Sequence, residues 1–366
     1  MAIRKRTVNI PGCEAKSYKV GIGTKILASL WGRIEADFGR YNKFVVTDEN
    51  LVSAGHLDRL LGGSEVPTFI ISPAGEASKN IDTLVAIVET MEQAYLGRDT
   101  VVVALGGGTV GDIGGFAASI FKRGVPVIHI PTTTVAQADS AIGGKTGVDS
   151  SVSKNAFGTF WPPAGVYIDV ATLTTLEERQ YRAGLVESVK HAIIADSEYF
   201  GFIEKNIEAI LARQSAVLER IADFNCKIKG AVVETDPNEQ NLRRILNYGH
   251  TIGHAVETAG GYQLLHGEAV AIGMIGAGLL EIEMGLGEPG RLERIRSILD
   301  KLGVPVELPQ GLAESDLIDV IKRDKKAVDK RPKFVLISEI GQVYCKDKQW
   351  AVDVERPVLE KVLRSL

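Results

Sequence analysis

Residues 101–105 (Val101–Val102–Val103–Ala104–Leu105) form a run with no polar alternation, and GGGTVGDIGG, Gly106 to Gly115, follows at once. A strand with one wet face alternates. One that does not is buried on both faces, the condition of a central strand in a parallel sheet covered by helices. Gly106, Gly108 and Gly111 satisfy GxGxxG between that strand and a helix. Glycines there let a backbone approach a pyrophosphate at a helix N-terminus, although they also serve a plain tight turn. No acidic residue stands about 20 positions on, where such a unit places its ribose ligand. Asp48, at the end of the strand-like Lys43–Thr47, can do that work from another strand end.

Around this core, short Val/Ile-rich stretches (Tyr18–Ile22, Lys43–Thr47, Thr68–Ser72, Val125–Ile130) alternate with amphipathic ones (Ile26–Phe38, Lys79–Ala94). That alternation predicts a parallel sheet with helices on both faces. From Leu176 on, periods near 3.6 dominate: Glu177–Ile194, Ser197–Leu211, Ala216–Val233, Leu242–Glu257, Glu268–Met284 and Gly290–Leu302. A short hairpin, Lys333–Ser338 with Gln342–Lys346, turns at Gly341. The expected fold is an α/β Rossmann-like parallel-sheet domain, residues 1–175, followed by a mainly α-helical domain, residues 176–366. With 366 residues the chain is long enough for two such units. Ligands are expected between them.

In an open parallel sheet the strand ends bind ligands. Glu76 and Lys79 of PAGEASKN, and Thr132, Thr133 and Thr134, converge on that rim or serve as turns and caps. QADSAIGGKTGVDSSVSKN carries Asp139, Lys145, Lys154 and Asn155 in a stretch read as strand-free, an anion site or a solvated loop. A Walker loop ending in Gly144–Lys145–Thr146 needs glycine at 139, where aspartate stands. Arg123 of FKRG is a further cation.

The most informative polar stretch runs from Glu239 to Glu268 and holds three of the six histidines, His250, His254 and His266. If Leu242–Glu257 is helical, His250 and His254 share a face at i, i+4. They can bind one metal together, divide metal and substrate between them, or be hydrogen-bonded core residues. Glu239, Arg243 and Asn247 extend the stripe at steps of four, suggesting the wall of a cleft. Thr251 occupies the position of a zincin's general base, which disfavours a metalloprotease. Glu187 and Lys190, at i, i+3 among apolar neighbours, are either a surface ion pair or a buried one that needs a cation. Glu187, His250 and His266 would make a three-ligand site with an open position. RDKK, with Lys325 and Lys326, reads as a solvated charge run.

A net charge of −4 argues against a nucleic-acid partner. The longest apolar run, Ala269–Leu280, is too short to cross a bilayer and fits a tightly packed buried helix. Three widely spaced cysteines and no signal-like apolar segment point to a cytoplasmic protein without a disulfide framework.

GGGTVGDIGGFAAS, KRGVPVIHIPTTTVAQADSAIGGKTGV, SKNAFGTF, GLVESVKHAII, ILNYGHTIGHAVE, LHGEAVAIGM and RDKKAVDKRPKFVLI together resemble the successive motifs of the 3-dehydroquinate synthases, from about Tyr18 to Ile337. These are sugar phosphate cyclases, lyases of the shikimate pathway to aromatic amino acids. The resemblance implies catalytic NAD, a divalent metal (zinc, or cobalt) and a homodimer. It puts the metal on Glu187, His250 and His266. Nucleotide contacts fall on Asp48, Asn50, Glu76, Lys79, Gly107, Gly108, Thr109, Gly111, Asp112, Thr132, Thr133, Lys145, Lys154, Thr172 and Thr175. Substrate and catalytic positions fall on Asp139, Lys145, Asn155, Lys190, Lys229, Glu239, Arg243, Asn247, His254, Lys325 and Lys326. Arg123 falls on an arginine that reaches the neighbouring subunit's substrate phosphate.

Trp161–Pro162, Ser153, Ser188 and His191 depart from the usual pattern. Lys229 and Arg243 together suit a substrate carboxylate, which favours 3-deoxy-D-arabino-heptulosonate 7-phosphate. The competing readings are a sibling cyclase (an aminodehydroquinate, 2-epi-5-epi-valiolone or 2-deoxy-scyllo-inosose synthase) and a metal-dependent polyol dehydrogenase.

Overall fold

The computed structural model describes residues 17–323 and 332–366. Eight strands come first: β1 (Lys19–Gly23), β2 (Asn42–Asp48), β3 (Thr68–Ile71), β4 (Thr100–Gly106), β5 (Val127–Pro131), β6 (Lys145–Val148), β7 (Phe157–Phe160) and β8 (Gly165–Asp169). Six of them build one parallel sheet in the order β1-β8-β5-β4-β2-β3. The helices accompanying the sheet are α1 (Leu27–Phe38), α2 (Glu49–Ser53), α3 (His56–Leu61), α4 (Ile81–Gln93) and α5 (Gly108–Ile120).

Burial accounts for the missing alternation in β4. Val101, Val103 and Leu105 pack with Leu30 and Ile34 of α1 and Leu60 of α3. Val102 and Ala104 pack on the other face with Leu84 and Ile87 of α4 and Ile113 of α5. Alternate side chains enter opposite cores, and both cores are apolar.

The sequence reading missed β8 and took residues 137–155 as strand-free. Lys145–Val148 is in fact a strand, paired antiparallel with Phe157–Phe160. Gly147 and Gly158 sit back to back there; a Cβ on either would fall 2.5 Å or less from the opposing backbone. Gly147, part of the stretch read as loop, and Gly158 opposite it are what let these two strands touch.

The helices that follow are α6 (Glu178–Ala195), α7 (Ser197–Leu211), α8 (Ser215–Thr235), α9 (His250–Ala259), α10 (His266–Glu283), α11 (Pro289–Leu302), α12 (Glu314–Arg323) and α13 (Arg356–Arg364). Short strands β9 (Lys333–Phe334), β10 (Ile337–Glu339), β11 (Gln342–Val343) and β12 (Val352–Asp353) form two small antiparallel pairs, with Gly341 at φ +91° in the β10–β11 turn. Helix α10 is buried along most of its length. A Cβ on Gly273 would fall 1.9 Å from the Gly249 carbonyl, and one on Gly267 would fall 1.8 Å from that of Ala183. Its glycines therefore set the approach of α10 to α9 and α6.

The continuous helix expected over Leu242–Glu257 does not form. Leu242–Asn247 is a 3₁₀ segment, Gly249 takes φ +76°, and α9 begins at His250. A Cβ on Gly249 would lie 2.9 Å from Met274 and 3.0 Å from the Val270 carbonyl. Close packing on α10 breaks the helix, so Glu239, Arg243 and Asn247 do not continue the face that carries His250 and His254.

Candidate active site

Three helix segments meet at a cluster of imidazoles and one carboxylate. His250 opens α9, His254 follows one turn later, His266 opens α10 and Glu187 sits in the middle of α6. The nitrogens offered by His250, His254 and His266 lie within 4.8 Å of one another. Glu187 Oε1 lies 3.7 Å from His250 Nε2 and 3.5 Å from His266 Nε2. His250 Nδ1 donates to the Tyr248 carbonyl at 3.1 Å, leaving Nε2 to face the carboxylate. Burial holds His250 well below the usual imidazole range. For His266 burial pulls the same way, but the Glu187 and Glu257 carboxylates outweigh it and raise the group to about 9.

Glu187 and Lys190 form a buried ion pair, each side chain 2% exposed. The surface reading of that pair is therefore wrong. The other oxygen, Glu187 Oε1, has no hydrogen-bond partner among the described residues. A buried carboxylate oxygen left without a donor is costly, and this one faces two imidazole nitrogens.

Beside this cluster, Asp139 projects from the widened turn Ala136–Ser140, a single π-type turn. Such turns recur at functional sites. Lys229 of α8 lies 2.7 Å from Asp139 Oδ1 and donates to the Asp139 carbonyl at 2.5 Å. Burial opposes the Asp139 charge, but Lys229 and Lys190 hold its carboxyl well below the usual range. His191 Nε2 stands 3.6 Å from the same carboxylate. Behind it, His191 Nδ1 meets Asn225 Oδ1 at 3.0 Å, and Asn225 Nδ2 donates to Ser188 Oγ at 2.9 Å. The two unusual residues Ser188 and His191 thus satisfy one another through Asn225, in a layer beneath the charged groups.

The Gly143–Gly144 turn, with φ of +97° and +67°, leads into Lys145. Arg243, 1% exposed, donates to the carbonyls of Pro237 (2.7 Å) and Gly143 (3.2 Å). Lys145 pairs with Glu239, and Asn247 donates to the same Glu239 at 3.2 Å. Glu239, Arg243 and Asn247 thus come together through the fold of a 3₁₀ segment, not through a helical stripe. Lys154, in the β6–β7 connection, lies 3.4 Å from Glu257 of α9.

At the rim of the sheet, Lys79 pairs with Asp112 of α5 at 2.7 Å and donates to Asn155 at 2.7 Å, with Glu76 at 3.8 Å. Thr109 donates to Glu76 at 3.2 Å. The glycine loop is tight: a Cβ on Gly107 would lie 2.9 Å from Thr133, and one on Gly108 3.3 Å from Ser140; at Gly111 it would lie 3.6 Å from His129. The Thr132 hydroxyl is buried without a partner among the described residues.

Asp48 ends β2 and caps α2, accepting from Leu51 N at 3.0 Å, with Asn50 exposed beside it. The Thr172 hydroxyl donates to the Asp169 carbonyl at 2.7 Å, and the Thr175 hydroxyl meets His56 Nε2 at 2.7 Å. These strand-end groups make no direct contact with the imidazole cluster. Arg123, at φ +75° in the turn after α5, is exposed and pairs with no described carboxylate. Trp161 anchors that turn: its Nε1 donates to the Val125 carbonyl at 3.0 Å, and its ring fills the space a Cβ on Gly124 would need. Lys325 and Lys326 lie outside the described residues.

Sequence reasoning missed Glu257, which accepts from His266 Nδ1 at 3.1 Å. The signal was present: Glu257 stands three positions after His254 in GHTIGHAVE, the spacing that shares a helix face. Asn225, and Tyr18, whose hydroxyl accepts from Gly143 N at 3.1 Å, carried no such signal.

The family model described as 3-dehydroquinate synthase N-terminal matches residues 69–183, and the one described as 3-dehydroquinate synthase C-terminal matches residues 184–327. A 3-dehydroquinate synthase of Desulforamulus reducens is 43% identical over 334 residues, 90% of this chain and 92% of that protein. That of Geobacter metallireducens is 47% identical over 285 residues, covering 78% and 79%. Among solved structures, a 2-epi-5-epi-valiolone synthase from Streptomyces hygroscopicus with NAD+ and Zn2+ bound superposes with a TM-score of 0.86 at 28% identity, covering 98% of each chain. A 2-deoxy-scyllo-inosose synthase complexed with carbaglucose-6-phosphate, NAD+ and Co2+ gives 0.85 at 27%, covering 94% and 96%. A probable glycerol dehydrogenase of Sinorhizobium meliloti, at 0.68 and 13% identity over 96% and 98%, shares the fold alone.

Proposed function

The chain belongs to the 3-dehydroquinate synthase family, and we propose that it converts 3-deoxy-D-arabino-heptulosonate 7-phosphate into 3-dehydroquinate and phosphate. NAD and one divalent cation serve as catalytic cofactors. The observation that carries the site assignment is Glu187 Oε1, buried, without a donor and aimed at the Nε2 atoms of His250 and His266. One carboxylate and two imidazoles, His266 giving up its extra proton as the cation binds, are a donor set that suits zinc or cobalt and leaves a position open. The residues present therefore fit the cation, with Glu187, His250 and His266 as its ligands and His254 beside them. When bound, the cation supplies Lewis-acid polarisation of a substrate hydroxyl. NAD, when bound over the glycine loop, supplies reversible hydride transfer.

The chain's own groups provide the rest. Lys229 and Arg243 neutralise the substrate carboxylate. Asp139 and Lys190 orient ring hydroxyls, and Lys190 also keeps Glu187 ionised for its ligand role. Lys145, Asn155, Asn247 and His254 bind the phosphate, with Lys325 and Lys326 from the segment after α12. Glu239 holds Lys145 and Asn247 in place. Asp48, Asn50, Glu76, Lys79, Asp112, Thr132, Thr133, Thr172, Thr175 and Lys154 surround the nucleotide. Arg123, on an exposed turn braced by Trp161, reaches a second copy of the chain in a homodimer.

The sibling-cyclase reading is disfavoured because identity to the sibling structures is 27–28%, against 43% and 47% to the two 3-dehydroquinate synthases. Purified protein with NAD and zinc is expected to release phosphate from the keto-acid substrate without net NADH. Steady NADH formation from a polyol, or turnover only of a sugar phosphate lacking a carboxylate, would overturn the assignment.

A further inference from the structure

Glu257 is 5% exposed and both its oxygens are engaged. Oε2 accepts from His266 Nδ1 at 3.1 Å. Oε1 lies 3.4 Å from Lys154 Nζ, whose ammonium sits 4.7 Å from the centre of the Tyr262 ring. The far side of the same imidazole, Nε2, faces Glu187 at 3.5 Å. A ring anchored at one nitrogen can still swing about its Cβ–Cγ bond. Anchored by a fixed carboxylate at Nδ1, it presents Nε2 in one direction and in one tautomer.

We propose that Glu257 is the positioning residue of the metal centre: it accepts the hydrogen bond of His266 Nδ1–H, aims Nε2 at the cation and strengthens that nitrogen as a donor. The inference rests on His266 being a metal ligand, as argued above. A carboxylate behind a ligating histidine both orients the ring and raises its basicity. Lys154, on the connection between β6 and β7, lies against the other oxygen of Glu257 and joins the nucleotide-side loop to the metal side.

The test is zinc alone, titrated into metal-stripped full-length protein against a competing fluorescent chelator. Glu257→Gln keeps the side-chain size and is expected to weaken zinc by about 10- to 100-fold, with turnover recovering as zinc is raised. Zinc affinity within about threefold of the parent would overturn the proposal, since losing the carboxylate behind a ligating imidazole is expected to cost more than that. His266→Ala separates the two claims. If it loses zinc while Glu257→Gln does not, the ligand set stands and the role of Glu257 falls. If His266→Ala binds zinc like the parent, the ligand set itself is wrong. A readout independent of any variant is the long-range ¹H–¹⁵N spectrum of the zinc-bound parent. It should show His266 protonated at Nδ1 and bare at Nε2; the opposite tautomer refutes the role.

Discussion

The rim of the parallel sheet and the helical imidazole cluster build their sites from opposite materials. The rim uses backbone and small residues. Gly106–Gly111 lets α5 start against β4, Thr132 and Thr133 line the next strand end, and the buried ammonium there, Lys79 at 5% exposed, is already paired with Asp112. The cluster uses buried charge: Glu187, Lys190, Lys229, Arg243 and Glu257 are each 5% exposed or less. A site of backbone amides is complete before a ligand arrives, because its donors belong to secondary structure. A site of buried charges is balanced only when every partner is present, and Glu187 Oε1 lacks one. Substitutions should therefore cost more in the cluster, and some of that cost should depend on the cation.

The sharpest contrast is His250→Ala, which should abolish both bound zinc and turnover while the fold survives. A variant that keeps one zinc per chain would break the assignment of the centre. Next comes Lys190→Met. Removing one partner of a buried pair typically costs about 3–5 kcal/mol because the other charge is stranded. Here the loss of thermal stability should appear in metal-stripped protein and shrink when zinc is added, since the cation takes over as the counter-charge of Glu187. A loss independent of zinc would mean that Lys190 is only a core ion pair. Arg243→Lys keeps the charge but removes the planar fork. A charged hydrogen bond is worth roughly 1.5–3 kcal/mol, so KM for the keto acid should rise by about 10- to 100-fold, with little change for an analogue lacking the carboxylate. An equal rise for both would place the substrate carboxylate elsewhere.

The same contrast explains what could be read from the sequence. Apolar periodicity reports burial directly. Val101–Leu105 therefore announced a central strand, and Ala269–Leu280 announced a buried helix, seen as α10. Short range misled twice. Gly147, in a stretch that looked like loop, marks two backbones in contact, where it faces Gly158. Polar residues at steps of four and three over 239–254 looked like one helix face, and Gly249 against Met274 breaks it. Strand β8 escaped because GVYID is short and begins with glycine. The cluster was the least legible part. Glu187 and Lys190 are spaced like any surface pair, and only tertiary packing shows that both are buried. Spacing from His254 puts Glu257 on the histidine face, but that it meets His266 depends on the turn between α9 and α10, which spacing does not specify.

At the rim, smaller effects are expected. A Cβ on Gly107 would stand 2.9 Å from Thr133 Cγ2, a contact that a rotamer change can relieve. Gly107→Ala should change stability by less than about 1 kcal/mol and act mainly by raising KM for NAD, with zinc affinity untouched. A parallel loss of zinc would show that the two regions are not independent.

The smallest predicted effect tests the link between them. Lys154 is 40% exposed at its side chain, and its ion pair with Glu257 spans 3.4 Å, so its interaction should be worth no more than about 1 kcal/mol. The sign is the informative part. Lys154 draws on the carboxylate that supports His266, and its own charge repels a cation at Nε2. Lys154→Met should therefore tighten zinc binding, by about two- to fivefold, while Glu257→Gln weakens it. The shift should fade at high salt, because an exposed ammonium is screened and the buried Glu257–His266 contact is not. Weaker zinc binding in Lys154→Met would mean that the loop holds Glu257 in place mechanically, and the electrostatic route from loop to metal centre would be lost.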